Sequence, residues 1–386
     1  MREGKGVQLS DGLDVARVRS VRDRTTLLRS LTSSLLFGSR FVTIWIAGAV
    51  LLVVSRILAP ATLSSASWSI LLPVGSIVAT VALGQMLVIM MGGIDLSMAA
   101  AISLLANVLV GVSRGEDDRL LYAILIVLMW GVVIGLVNGL LVAILELNPL
   151  IVTLSTGLVL LGITSEYRLG TANESAVPRA LSSFVFDKFL GVSKTFWLVL
   201  ALMLLISVVL RSSVPGRRFQ AVGANRRAAW MAGIRVRSYV VFAYVAASLS
   251  AGVAGILIGG IVVSPGVNPG AAYLLGPVAA VVLGGAALSG GLASPMSTWV
   301  AAFFVTVLNQ MLRVLGLSTA SQFVVFGLAI VLGMVISGDR IAEIIGRLLL
   351  RPSIRSLIST SGAASEPADN GSHVHSHAPT TKGTTT

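Results

Sequence analysis

The sequence predicts an all-α polytopic membrane protein with about ten transmembrane helices. Three observations predict it. Of 386 residues, 55% are hydrophobic and 11% charged, with a mean hydropathy of +0.92, whereas a soluble domain carries about 25% charged residues. Apolar stretches close to the ~20 residues that cross a bilayer as a helix recur from Phe41 to Ser337, separated by short polar breaks. Twenty of the 28 Lys and Arg residues lie in 1–40, in 211–237 and after Gly338, a distribution that orients an integral membrane protein. The short alternating segments of a transmembrane barrel are not seen. Placed this way, a net charge of +12 argues for a membrane and against nucleic acid.

Residues 1–40 are a polar arm carrying Arg17, Arg19, Arg22, Arg24 and Arg29. The arm is too long and polar to open a signal peptide and is expected to be cytoplasmic. The membrane region is expected over 41–338, and a polar cytoplasmic tail over 339–386. The first span covers 41–58. The second, 69–91, contains Pro73, which a membrane helix tolerates where neighbours satisfy the freed carbonyl. Gly92-Gly93-Ile94-Asp95-Leu96-Ser97 then interrupts the apolar run. Span three is 98–113, followed by the hydrophilic link 114–119; span four is 120–145. Asn148-Pro149 marks a break, and span five is 150–165. Residues 166–195 read as a long mixed loop on the outer side, and span six is 196–210. A basic loop, 211–237, has seven arginines and no acid. Span seven, 239–263, is rich in Gly and Ala, which favours close helix contacts. The turn cluster 264–270 precedes 271–291, whose Pro277 and glycines suggest a broken or re-entrant helix. Spans at 296–315 and 320–337 complete the set. Parity and the charge distribution agree in placing 211–237 and both termini on the cytoplasmic side.

Few residues carry chemistry. Asp95 either caps the following helix with help from Ser97, lines a pathway, or pairs with a base. Asn138, Asn309 and Gln310 within spans, and Thr153, Ser155 and Thr156 along span five, either join helices or face a polar path. Neutral groups of this kind suit a sugar or polyol better than charges would. Met86, Met90 and Met91 read as core packing. His373, His375 and His377 lie in a low-complexity tail that makes at most a weak metal site, so no metal is expected. The chain has no cysteine, all three histidines are in the tail, and no phosphate loop, HExxH or GxSxG occurs. Energised transport would therefore need nucleotide hydrolysis from another chain. Within the basic loop, a short helix is expected at 225–232, with Asn225 as N-cap, Gly233 as stop, and Trp230 and Met231 as apolar anchor. Such a helix is unstable alone in water and needs lipid headgroups or a protein groove to lie on. Val88–Ser97 and Ala280–Ser289 also align without gaps, a weak internal echo.

Four blocks together resemble a known family: GGIDLSMAA at 92–100, NGLLVAILELNPLIVTLSTG at 138–157, PGRRFQAVGANRRAAWMAGIRV at 215–236 and VAAVVLGGAALSGG at 278–291. They are similar to the permease subunits of bacterial ABC importers in the ribose/monosaccharide and autoinducer-2 group, and they cover roughly 70–335. The resemblance implies an ABC importer permease fold in the bacterial inner membrane. It implies a second permease subunit, a cytoplasmic ABC ATPase that carries ATP and Mg, and a periplasmic substrate-binding protein, with no cofactor on this chain. Gly216, Arg217, Gly223, Asn225, Ala228, Ala229, Gly233 and Ile234 would fall on the segment that couples to the ATPase. The family's acidic pair before the fourth block is replaced here by Leu274 and Gly276, and later glycines by Ala293, Ser294 and Met296. These departures leave the sugar, and homodimer against heterodimer, open. A branched-chain amino acid or nucleoside permease, or an ion-driven carrier with Asp95 as its acid, is the alternative reading.

Overall fold

A computed structural model describes residues 41–331 apart from 42, 171–176, 263–264, 319, 326 and 329–330. The N-terminal arm, the C-terminal tail with its histidines, and most of the span expected at 320–337 lie outside the described residues. The helices are α1 (Thr43–Leu58), α2 (Ser65–Met90), α3 (Met98–Ser113), α4 (Leu120–Ala143), α5 (Pro149–Gly170) and α6 (Arg179–Phe186). They continue with α7 (Lys194–Ser212), α8 (Val214–Ala224), α9 (Arg226–Met231), α10 (Val236–Ile261), α11 (Leu275–Leu283) and α12 (Pro295–Val314). Five helical segments are long and apolar enough to cross a membrane: Ser65–Met90, Asp117–Ala143, Pro149–Gly170, Lys194–Ser212 and Val236–Ile261. Shorter apolar helices lie at Thr43–Leu58, Met98–Ser113 and Pro269–Leu283.

The centre is α2 and α10. In α2, 89% of the most apolar stretch is buried, against 28% in α4 and in α5 and 22% in α7. Those outer helices turn large apolar side chains such as Leu125, Leu154, Leu158 and Leu205 outward, as a bilayer or a second subunit requires. Close approach to α10 is made by glycines. Gly131, Gly135 and Gly139 repeat every fourth residue along α4 and meet the α10 backbone at Ser248, Val245 and Val241. A Cβ at Gly139 would sit 2.8 Å from Val241 Cα. On another face of α10, a Cβ at Gly255 would lie 3.1 Å from the Ala106 nitrogen of α3. Small residues at such spacing let apolar helices pack backbone to backbone, which is how helices associate without a hydrophobic drive between them.

Connections sort onto two ends of the bundle. At one end, Asp117 accepts a hydrogen bond from the Ala180 nitrogen at 2.9 Å, and Gly260 packs on Val185 of α6. At the other end, the loop after α2, the α4–α5 turn, α8, α9 and the loop after α11 come together. Two expectations are corrected. The mixed loop 166–195 begins as the last turn of α5 and carries α6 and a two-stranded hairpin of β1 (Lys188–Phe189) and β2 (Val192–Ser193). Here Leu181 and Val185, four apart on α6, are buried, which gives a short helix a face to fold on. The basic loop 211–237 is also two helices rather than one. Ser213 caps α8 by accepting from the Gly216 nitrogen at 3.0 Å, Pro215 sits in its first turn, and Phe219 and Val222 are buried.

The run 271–291 is broken, as expected. Pro269–Tyr273 is a 3-10 turn, α11 is only nine residues long, and no helix follows until Pro295. At 1.5 Å per residue, α11 covers about 14 Å, half the bilayer core. Both α2 and α11 end in the same hydrogen-bonded turn. Gly92 N–H donates to Ile89 O and Gly93 N–H to Val88 O; Gly285 N–H donates to Val282 O and Ala286 N–H to Val281 O. The positive-φ residues are Gly92 and Gly285. This turn also ends α9 and α12, and it is shifted by one residue from the ungapped alignment, so it lends the echo no support of its own.

Candidate functional site

The site is where the second half of the basic segment meets the break after α2. Asn225 caps α9 by accepting from the Ala228 nitrogen at 3.0 Å. Gly233, at φ +76°, stops it, with Gly233 N–H on Trp230 O and Ile234 N–H on Ala229 O. Ala229 is buried, while Trp230 and Met231 are 71% and 69% exposed. The expected anchor therefore points away from this chain. Beside it opens a groove of about 1130 Å³ against the α4–α5 turn, lined by Glu146, Asn148, Arg226, Arg227, Trp230 and Arg235 among others. Arg217 donates to the Ser212 carbonyl at 3.1 Å and closes α7, and Gly216 lies where a side chain would overlap Val209 O.

The last carbonyls of a helix have no partner inside it. In α2, Val88 O and Ile89 O are taken by the turn that follows, and the next two by distant parts of the chain. Met90 O accepts from the Gly291 nitrogen at 2.9 Å, and Met91 O accepts from the Arg226 guanidinium. That cation also complements the negative end of the α2 dipole. Gly223, Gly290 and Gly291 make the approach possible. A side chain on Gly223 would overlap Met90 O, and one on Gly291 would lie 2.9 Å from Ala224 Cα. Gly290 and Gly291 hold φ of +99° and +84°, a region that L side chains rarely adopt.

The break itself is tied to three helices. Gln85 of α2, with its amide oriented to satisfy both contacts, donates to Asp95 O and accepts from Asp95 N at 3.1 Å each. Asp95 Oδ1 accepts from the Ser97 nitrogen at 2.9 Å and from Ser97 Oγ at 2.6 Å. Ser97 Oγ in turn accepts from Asn138 Nδ2 of α4 at 2.8 Å. Thr153 Oγ1 of α5 accepts from the Leu96 nitrogen at 3.1 Å. Asp95, Ser97, Asn138 and Thr153 are all buried. Asp95 therefore closes a turn ahead of α3 rather than capping its first N–H groups, and Asn138 and Thr153 join helices. Burial raises the Asp95 carboxyl to about 6, against the two Ser97 bonds that pull it down.

Asn309 and Gln310 are not part of this cluster. They lie half-buried in the last turns of α12, toward the opposite end of the bundle. Gln85, Arg226 and the pair Gly290-Gly291 belong to the site and escaped the sequence reading. Gln85 is a lone amide in an apolar span, and only the fold shows what it clamps. Among the described residues, no three His, Cys, Asp or Glu side chains gather as a metal site would require.

These features define a polytopic helical permease subunit, with a basic two-helix segment joined to a break in its central helix. The chain belongs to the family described as branched-chain amino acid transport system / permease component, whose pattern matches residues 67–335. It is 32% identical to a probable ABC transporter permease protein of Sinorhizobium fredii, over 77% of this chain and 89% of that one. It is 32% identical to a ribose import permease protein of Bacillus subtilis, over 76% and 91%. It is also 28% identical to a galactose/methyl galactoside import permease protein of Escherichia coli, over 74% and 90%. No solved structure matches.

Proposed function

We propose that this chain is the permease subunit of an ATP-driven importer that moves a monosaccharide or related polyol across the bacterial inner membrane. Its relatives named for ribose and galactose import support the substrate class. The junction of α8–α9 with the end of α2 carries the mechanism. A cytoplasmic ATPase that holds ATP and Mg would seat the exposed Trp230 and Met231 in its own surface. Closure of that partner on ATP would push α9. The push would reach Met90 and Met91 through main-chain contact and Arg226, and then α4 and α5 through Ser97–Asn138 and Leu96–Thr153. A periplasmic binding protein would deliver the solute at the other end, and a second permease subunit would complete the path. Both termini would then be cytoplasmic. An ion-driven carrier is disfavoured by the relatives, which are named as ABC transporter and import permease proteins.

Deleting 224–233 should abolish co-purification with the cytoplasmic ATPase of the complex while membrane insertion persists. Retained co-purification would overturn the coupling role. Uptake by the assembled complex in vesicles, with labelled ribose challenged by leucine, tests the substrate class; competition by leucine alone would favour the amino acid alternative.

A further inference from the structure

Between α10 and α11 the chain does something that turn chemistry at a membrane surface does not explain. Gly259 of α10 packs at the level of Leu109 of α3. Further on, Gly266 O accepts from Asn107 Nδ2 at 3.1 Å, and Gly270 N–H donates to Ser103 Oγ at 3.0 Å. A side chain on Gly270 would overlap Ala99 O. Residues 266–270 therefore run down alongside α3 from its tenth residue toward its first turn, without helical hydrogen bonding until the turn at Pro269. Ser103 and Asn107 lie roughly 8 and 14 Å into α3 at 1.5 Å per residue, in the middle of its length.

Irregular backbone at that depth is tolerated where it is buried in protein or lines water. The first three residues of this segment are not buried. Gly266, Val267 and Asn268 are exposed, as are Ala271, Ala272 and Leu274. Behind it, Asn107 is 2% exposed and its Oδ1 has no partner among the described residues. Ser103 Oγ donates to Asn268 Oδ1 at 3.0 Å and to Ala99 O at 3.0 Å, two acceptors sharing one hydroxyl proton. Lipid would leave these groups uncompensated at a cost of several kcal/mol.

We propose that Ser103, Asn107 and Asn268, with the open backbone of Gly266–Asn268, form a water-lined, neutral hydrogen-bonding step midway across the bilayer, over which a polyhydroxylated solute passes. The solute class rests on the importer reading above; the water-lined step does not. Amides and a hydroxyl offer both donors and acceptors, as each sugar hydroxyl does. The step has no side-chain charge of its own to neutralise a carboxylate or ammonium, so charged solutes pass poorly.

The chain has no native cysteine, so single cysteines report directly. In the full complex in vesicles, Val267→Cys and Ala271→Cys should react with a charged methanethiosulfonate at least about tenfold faster than Leu158→Cys on the outer face of α5, because only a hydrated thiol ionises. Equal, slow labelling would overturn the step. In the same vesicles, Asn107→Ala and Asn268→Ala should lower uptake of labelled ribose about tenfold. Co-purification with the ATPase should be retained and shows that the variants fold. Unchanged uptake would overturn the role in passage. If the unmodified complex moves no ribose while residues 267 and 271 still label, the sugar reading falls and the water-lined step stands.

Discussion

Asp95 shows how much one residue can say before its surroundings are known. Its type and its place after Gly92-Gly93 restricted it to a cap, a pathway acid or an ion pair. The fold adds the partners of one carboxylate oxygen: Ser97, two residues on, and through it Asn138, which lies 41 positions from Ser97 and reaches it only through the packing of α4. The carboxyl is raised to about 6 in the folded chain from an ordinary 3.8. A raised carboxyl binds its proton more tightly when folded, so its contribution to stability is fullest below pH 3.8 and is lost as pH rises through about 6. Asp95→Asn keeps an acceptor for Ser97 and should flatten the thermal-melting profile across that window in detergent. Asp95→Ala loses both Ser97 bonds and should cost about 1–3 kcal/mol at pH 7. Identical pH profiles for the native chain and Asp95→Asn would count against burial as the cause.

Among elements, those with long apolar runs were readable and those made by tertiary contact were not. The expected spans at 98–113, 120–145 and 296–315 fall within two residues of α3, α4 and α12. α8 was invisible because Val214–Ala224 contains Pro215, Gly216 and Gly223 and has no broad apolar stripe; a serine cap and two buried side chains make it. The cluster at 264–270 reads as turns from composition, and nothing local foretells that Gly266 and Gly270 bond to Asn107 and Ser103 of α3. The α4 stripe of Gly131, Gly135 and Gly139 had a signal, its four-residue spacing, that would have found it. Gly223 ties these elements to function. Gly223→Val should leave the exposed face of α9 able to hold the ATPase, yet lower ATP-driven uptake by about 5–150-fold, the range of ordinary coupling energies. Normal uptake by that variant would show that the contact with Met90 carries no force.

For the molecule as a whole, charge and parity placed 211–237 and both termini on one side, and the folded chain groups its loops independently of charge. The α4–α5 turn meets α9 at one end, and Asp117 meets Ala180 at the other. Topology reporters inserted after Glu116 and Gly191 should therefore read outside, and those after Glu146 and Gly233 inside. Any one reporting the opposite side would break the scheme. The end of α2 has a further consequence, for the order in which the molecule can be made. α2 leaves the ribosome early, but the carbonyls of Met91 and Met90 meet Arg226 and Gly291 only when those residues are made, far later. Until then its final turn is held by Gly92 and Gly93, and the break that follows by Gln85, Asn138 and Thr153. The first half of the chain can thus close its central helix by itself, and the contacts from Arg226 and Gly291 join the basic segment and the second half to a helix end already formed.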